Sequence, residues 1–210
     1  MSRLHLSPHI YSGLQNFVHR GHRPTFDLLT RLLEISPGET VVEIGCGTGI
    51  LAHHFVSHGY DYWGIDFDPE RIDVARQQTP GAHFQTCDAL AIEQAGLPNF
   101  KRAFIHGVLH HLNDAETQKI ISHVLSLRRD MTLVIIEPFR RPRWWNNPFG
   151  ALIARLDEGR YVRTLEEWRD LFEPKLELLT TRNLWPRWPQ DFLDARLRAS
   201  WETLALRNAV

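Results

Sequence analysis

Val41-Val42-Glu43-Ile44-Gly45-Cys46-Gly47-Thr48-Gly49-Ile50 constrains this chain more than any other stretch of its 210 residues. A β-branched apolar run carrying one carboxylate breaks into a loop with glycine at every second position. Glycine is needed where the backbone takes φ > 0, or where a ligand approaches the chain with no Cβ between them. The stretch therefore predicts a buried strand that delivers the chain against a bound, nucleotide-like small molecule.

Past this loop the chain alternates between the strand and helix periodicities. Strands are predicted at 60–66, 83–86, 102–106 and 132–136, the last nearly all apolar, as strands buried on both faces are. Helices are predicted at 50–57, at 69–78 and from Asn113 to Leu127, the second opened by Asp68 as cap with Pro69 behind it. Two helical segments fill 8–34, broken near Gly21 and Pro24. The second puts Phe26, Leu29, Leu32 and Leu33 on one face. After residue 137 the pattern changes to a proline-containing loop and a helix over 149–157. Thr164-Leu165-Glu166-Glu167 then forms a capping box opening a helix to about Phe172. Strands at 176–184 and 191–199 follow. Such alternation predicts a single α/β domain, 1–210, on a mostly parallel sheet with helices on both faces.

Lys and Arg number 24 against 25 Asp and Glu, so the net charge of −1 gives no basic field of the kind a dedicated nucleic-acid binder carries. Cys46 and Cys87 stand outside any CxxC pair and read as free thiols in a reducing compartment. Met1-Ser2-Arg3-Leu4-His5 has no apolar signal core, and no stretch approaches the ~20 apolar residues of a membrane span. A cytoplasmic location is expected. His53, His54, His58, His106, His110 and His111 lack the ligand spacing and the Cys or carboxylate partners of a zinc site, and no metal is expected.

Two cofactor classes enter through a strand, a glycine loop and a helix. A dinucleotide site prefers G-x-G-x-x-G/A, whose third small residue permits close helix–strand packing. Here that position is Ile50, and Glu43 would repel a pyrophosphate. A cationic ligand suits Glu43 better, so the spacing disfavours NAD.

At this point the chain resembles the class I S-adenosylmethionine-dependent methyltransferases, small-molecule type. The resemblance rests on Val41–Ile50, Gly64-Ile65-Asp66-Phe67-Asp68, Thr86-Cys87-Asp88-Ala89 and Gly107-Val108-Leu109-His110-His111-Leu112-Asn113-Asp114, in register over about 38–137. It implies a Rossmann-like seven-stranded sheet whose last strand is antiparallel. It also implies an N-terminal helical cap over 1–36 and an insertion over 138–172 that forms part of a substrate lid. S-adenosylmethionine becomes the implied cofactor, with S-adenosylhomocysteine as product. Glu43 and the Gly45, Cys46, Gly47 and Gly49 loop match the segment that holds its methionine part. Asp66 matches the acid that takes both ribose hydroxyls, and Phe67 would lie against the adenine. Asp88 and the Ala89 N–H match the adenine contacts, while the His106–Gly107 backbone matches the strand end near the amino group. Asp66 and Asp88 are also ordinary helix caps.

Methyl transfer is mostly positioning, and a hydroxyl acceptor also needs a base. By resemblance to small-molecule O-methyltransferases, His110 aligns with that base and Glu137 with the acid that orients it, although Leu112 stands where those enzymes carry tryptophan. His111 reads more as a packing and hydrogen-bonding residue. Tyr11, His111, Trp144, Tyr161 and Arg163 are candidate acceptor contacts. The expected partner is a small molecule, most simply one with a hydroxyl group, on a monomer or homodimer. Nitrogen, carbon, RNA or protein acceptors, and a non-catalytic cofactor-binding module, are the alternatives. The cluster of Arg140, Arg141, Arg143, Trp144 and Trp145 fits a lid over an aromatic substrate, an interface with lipid headgroups or packing against the sheet edge, with stacking on nucleic-acid bases disfavoured by the near-zero net charge.

Overall fold

A computed structural model of the chain describes residues 23–139, 160–172, 180–182 and 191–198. Tyr11, Trp144 and the helices expected before Arg23 and at 149–157 lie outside them. The chain divides into two compact units, Met1–Phe100 and Lys101–Val210.

The first unit runs α1 (Arg23–Leu33), β1 (Thr40–Ile44), α2 (Ala52–Ser57), β2 (Asp61–Asp66), α3 (Pro69–Gln78) and β3 (His83–Thr86), then a 3-10 segment over Ala89–Ala95. The three strands are parallel, with Val42 opposite Trp63 and Gly64 opposite Phe84. Val41, Val42, Leu51, Ala52, Phe55, Ile72 and Ala75 are fully buried between sheet and helices. Pro24 does not break α1 but sits in its first turn, where a missing N–H costs nothing. Asp68 caps α3 as expected, accepting from the N–H groups of Glu70 and Arg71.

The second unit carries β4 (Arg102–His106), a 3-10 turn at Leu109–His111, α4 (Asp114–Ser126), β5 (Thr132–Phe139) and α5 (Leu165–Phe172). β4 and β5 are parallel, with Phe104 opposite Val134. Leu133, Val134, Ile135 and Ile136 are wholly buried, which explains the unbroken apolar run. β5 continues through Glu137 to Phe139, past its expected end at 136. The Glu137-Pro138 step does not end the strand, because a residue before proline is itself biased towards extended backbone. Asn113 with Glu116, and Thr164 with Glu167, form reciprocal capping boxes at the starts of α4 and α5. Two short extended segments, β6 (Thr180–Arg182) and β7 (Asp191–Arg198), complete the described residues.

The tight approach within the glycine loop falls at Gly49 rather than at Ile50. A Cβ on Gly49 would stand 2.9 Å from the Phe84 ring and 3.1 Å from Ala75 Cβ, with φ at +71°. Gly47 also has positive φ, +53°, but a Cβ there meets nothing within 4 Å. Gly49→Ala is therefore expected to destabilise by about 2–4 kcal/mol, combining left-handed strain with overpacking. Gly47→Ala should cost only about 1–2 kcal/mol. Urea unfolding of both variants checks this, and equal losses would refute the packing role of Gly49.

Candidate functional site

Gly45 and Cys46 both donate their N–H groups to the carbonyl of Ile65, at 2.8 and 2.9 Å, which fixes the start of the loop against the end of β2. Asp66, 5% exposed, then holds the loop with its carboxylate. Oδ2 accepts from Gly47 N at 2.8 Å, and Oδ1 accepts from Asp68 N at 3.0 Å. Each oxygen has a further lone pair. Immediately after it, Phe67 leaves its ring 76% exposed, unusual for a large apolar side chain beside a loop of this kind.

Glu43, 2% exposed, is bound by the Tyr62 hydroxyl. Burial is the main influence on its carboxyl and drives the pKa up from 4.5 to about 8. The Tyr62 hydrogen bond opposes the rise and the charge of Asp66 adds to it. Cys46 beside them is buried and its thiol is pushed up by burial, then by Glu43 and Asp66, so it is an inert packing sulfur. The Tyr62 contact was not anticipated from the sequence. Asp88 is exposed and caps the 3-10 segment by accepting from Leu90 N at 2.8 Å. Ala89 is half-buried at the start of that segment.

In the second unit the turn after β4 is built around Glu137. One carboxylate oxygen accepts from the N–H groups of Val108 and Leu109, each at 2.7 Å; the other accepts from His110 N at 3.2 Å. His110 Nδ1 lies 2.7 Å from that second oxygen. Both side chains are buried, Glu137 completely. With Glu137 acting as the acceptor, Nδ1 donates and Nε2 is the basic nitrogen of the ring. Gly107, at φ +66°, faces the same ring: a Cβ there would stand 3.9 Å from His110 Cε1. The sequence-predicted pair of His110 and Glu137 is thus brought together, beside the His106–Gly107 strand end.

Two expectations are revised here. His111 is exposed, its ring tilted against that of His110 with centroids 4.1 Å apart, so the packed histidine is His110. The three-residue 3-10 turn, which the sequence did not reveal, sets that phase. Arg163 is 5% exposed and its guanidinium is committed inside the protein. Nε donates to Asp114, Nη1 to the carbonyls of Leu109 and Tyr161, and Nη2 to the Leu112 carbonyl and Thr117 Oγ1. No guanidinium nitrogen is left over for an acceptor molecule. Tyr161 is 41% exposed, and its N–H donates to the carbonyl of His110 at 2.9 Å. Among the described residues no group of three or more His, Cys, Asp or Glu could hold a metal ion, and no helix is long and apolar enough to cross a membrane.

A glycine loop closed by a strand-end acid, a second buried acid beneath it and an exposed aromatic ring define a nucleotide-type cofactor binder. Known proteins make the class specific. A family model described as a methyltransferase domain matches residues 41–130. Ribosomal protein L11 methyltransferase of Cupriavidus taiwanensis is 40% identical over 73 residues, 33% of this chain and 25% of that protein. An O-methyltransferase of Pyrenophora dematioidea is 32% identical over 99 residues, 44% of this chain and 36% of that one. The chain thus spans about a quarter of the length of the first curated relatives it matches. The solved magnesium protoporphyrin IX methyltransferase of Synechocystis PCC 6803 with bound S-adenosylhomocysteine shares the fold. Its TM-score is 0.63 at 22% identity, covering 88% of this chain and 87% of that one. Residues 41–130 thus match a methyltransferase domain, and the chain has the Rossmann-like α/β fold of the solved S-adenosylmethionine-dependent methyltransferases.

S-adenosylmethionine, the cofactor that the resemblance implies, fits the first unit. Glu43 and Asp66 put two carboxyl groups in a buried place that contains no described cation, and a ligand carrying ammonium and sulfonium charge would offset both. The open space above Gly47 lets such a ligand reach the main chain. In its absence Glu43 weakens the fold as pH rises. The folded chain keeps a proton up to about pH 8 that the unfolded chain releases near 4.5, so stability falls between those values and is level above them. That loss is on the order of 4–5 kcal/mol. Glu43→Gln should therefore match the native chain at pH 5 and be the more stable of the two at pH 8.5. Urea unfolding at the two pH values is the measurement; parallel stability curves for the two proteins would contradict the assignment.

Proposed function

We propose that this chain transfers a methyl group from S-adenosylmethionine to a small molecule, at a hydroxyl oxygen. The observation that carries the choice of oxygen is the buried His110–Glu137 pair, 2.7 Å apart, a base oriented by an acid. When bound, the cofactor supplies a methyl on a positively charged sulfur; the rest falls to the residues of the chain. Glu43 with the Gly45, Cys46, Gly47 and Gly49 loop holds the methionine part, and Glu43 gives up its proton to balance the positive charge. The second lone pairs of the Asp66 oxygens take the ribose hydroxyls. Phe67 stacks on the adenine, and Asp88 with the Ala89 N–H reads its edge. His106 and Gly107 offer main-chain atoms to the amino group. His110 removes the acceptor's proton through Nε2, with Glu137 holding the ring and stabilising its cationic form.

On the acceptor side, Tyr161 and His111 are the contacts among the described residues. The O-methyltransferase relative supports the oxygen reading. The ribosomal protein L11 methyltransferases match over too small a share of either chain to carry their acceptor across. A single functional domain over 1–210 is supported by a family match that runs across the junction of the two units. A seven-stranded sheet with an antiparallel last strand is supported by the register of β7 on β5, with Ile135 opposite Ala195, and of β6 on β7. We place the protein in the cytoplasm, as a monomer or homodimer.

Calorimetry should give binding of S-adenosylhomocysteine and none of NAD; the reverse result would overturn the cofactor assignment. Transfer of a labelled methyl to a panel of hydroxylated small molecules then tests the chemistry. His110→Ala should bind S-adenosylhomocysteine within about 2-fold of the native chain and turn over the best acceptor ~10²–10⁴-fold more slowly. Undiminished turnover in that variant would remove His110 from the mechanism.

A further inference from the structure

The 3-10 turn that presents His110 is three residues long, too short to hold itself. Its N–H groups are gripped from one side by Glu137, as described. Its carbonyl groups are gripped from the other side by the segment 161–163. Leu109 O accepts from Arg163 Nη1 at 3.1 Å, His110 O from Tyr161 N at 2.9 Å, and Leu112 O from Arg163 Nη2 at 2.8 Å. The Arg163 donors thus bracket His110 along the chain, and the third bond is to His110 itself.

The guanidinium is locked in turn. Asp114, the first residue of α4, accepts from Nε at 2.8 Å, and the cation lies 4.9 Å above the centre of the fully buried Trp168 ring in α5. It also bonds the Tyr161 carbonyl at 3.3 Å and lies 5.9 Å from the centre of the Tyr161 ring. So one side chain joins the turn after β4, the start of α4 and the strand-like segment leading into α5. Only a planar fork with donors on three nitrogens can reach that many acceptors.

We propose that Arg163 is a positioning residue for the His110 base, holding the imidazole and the Tyr161 ring as one rigid platform on the acceptor side. The proposal rests on His110 being the base, as argued above. It differs from a merely stabilising role in that losing Arg163 frees the carbonyl side of the turn. The Glu137–His110 bond then loses its fixed geometry even in a chain that stays folded. It also means that the acceptor pocket and the base cannot move apart, so a change in the 161–163 segment is felt at the imidazole.

Two measurements on the full chain test this without knowledge of the acceptor. Proton NMR should show a strongly deshielded His110 Nδ1–H signal, assigned by its loss in His110→Ala. Hydrogen exchange should show a protected Tyr161 amide. In Arg163→Met the Nδ1–H signal should broaden or vanish, and the Tyr161 amide should exchange about 100-fold faster, while amides in β4 and β5 keep their protection. Arg163→Lys, which keeps the charge and most of the volume, should lose roughly 10-fold in Tyr161 protection and retain a weakened Nδ1–H signal. If Arg163→Met does not fold, the lysine variant decides alone. Native Nδ1–H and native Tyr161 protection in a folded Arg163 variant would overturn the proposal. His110→Ala separates the two readings: its Tyr161 amide should remain protected, because the acceptor is a main-chain carbonyl. Full turnover by His110→Ala would then remove the base assignment while leaving the clamp intact.

Discussion

A carboxylate one residue beyond the last pairing of its strand with a parallel neighbour organises each unit in the same way. In the first unit the pairing of β1 with β2 ends with Ile44 opposite Ile65, and the next residue of β2 is Asp66. In the second, β4 meets β5 with His106 opposite Ile136, and the next residue is Glu137. The parent strand then turns at a glycine of positive φ, Gly45 or Gly107, whose N–H bonds the neighbour's carbonyl, Ile65 O or Ile136 O. The acid captures N–H groups of the loop just past that glycine: Gly47 for Asp66, and Val108 to His110 for Glu137. Loop backbone that leaves a parallel sheet has donors with no strand to pair with, and leaving them unmade in a buried place is costly. A strand-end acid satisfies several at once and, by doing so, fixes the shape of the loop that faces a ligand.

The two units differ in how completely their acids are satisfied. Glu137 takes three main-chain bonds and the imidazole, so its burial is compensated within the protein. Glu43 has the Tyr62 hydroxyl and lies close enough to Asp66 for their charges to oppose one another. One unit is thus finished electrostatically and the other is short of positive charge. Stability given up at Glu43 is the counterpart of affinity for a cationic ligand, a trade common where a binding site is made before the ligand arrives.

The features legible in the sequence were the local ones. Apolar runs placed β1 and β4, and Asp68-Pro69, Asn113 and Thr164 with Glu167 marked helix starts, because a cap acts over two or three residues. Glu137 and His110 were found as a pair only through the resemblance, since 27 positions separate them. Arg163 was read as a pocket residue because nothing local says that four of its five acceptors lie 46 to 54 positions earlier. The close approach at Gly49 has no local mark for the same reason: its neighbours, Phe84 and Ala75, come from β3 and α3. His111 was expected to pack because sequence alone does not set the phase of a 3-10 turn.

The division between what is local and what is long-range also separates two kinds of task in the molecule. The glycine loop of the first unit draws its shape from main-chain geometry, set by glycines of positive φ and by an acid next to the strand end. In the second unit one histidine is held by Glu137 through its N–H side and by residues 161–163 through its carbonyl side. The segment that carries Tyr161 can vary its exposed ring without disturbing the base only while Arg163 keeps its five acceptor groups. The exposed positions around Tyr161 can change in this way while the buried fork beneath them stays the same.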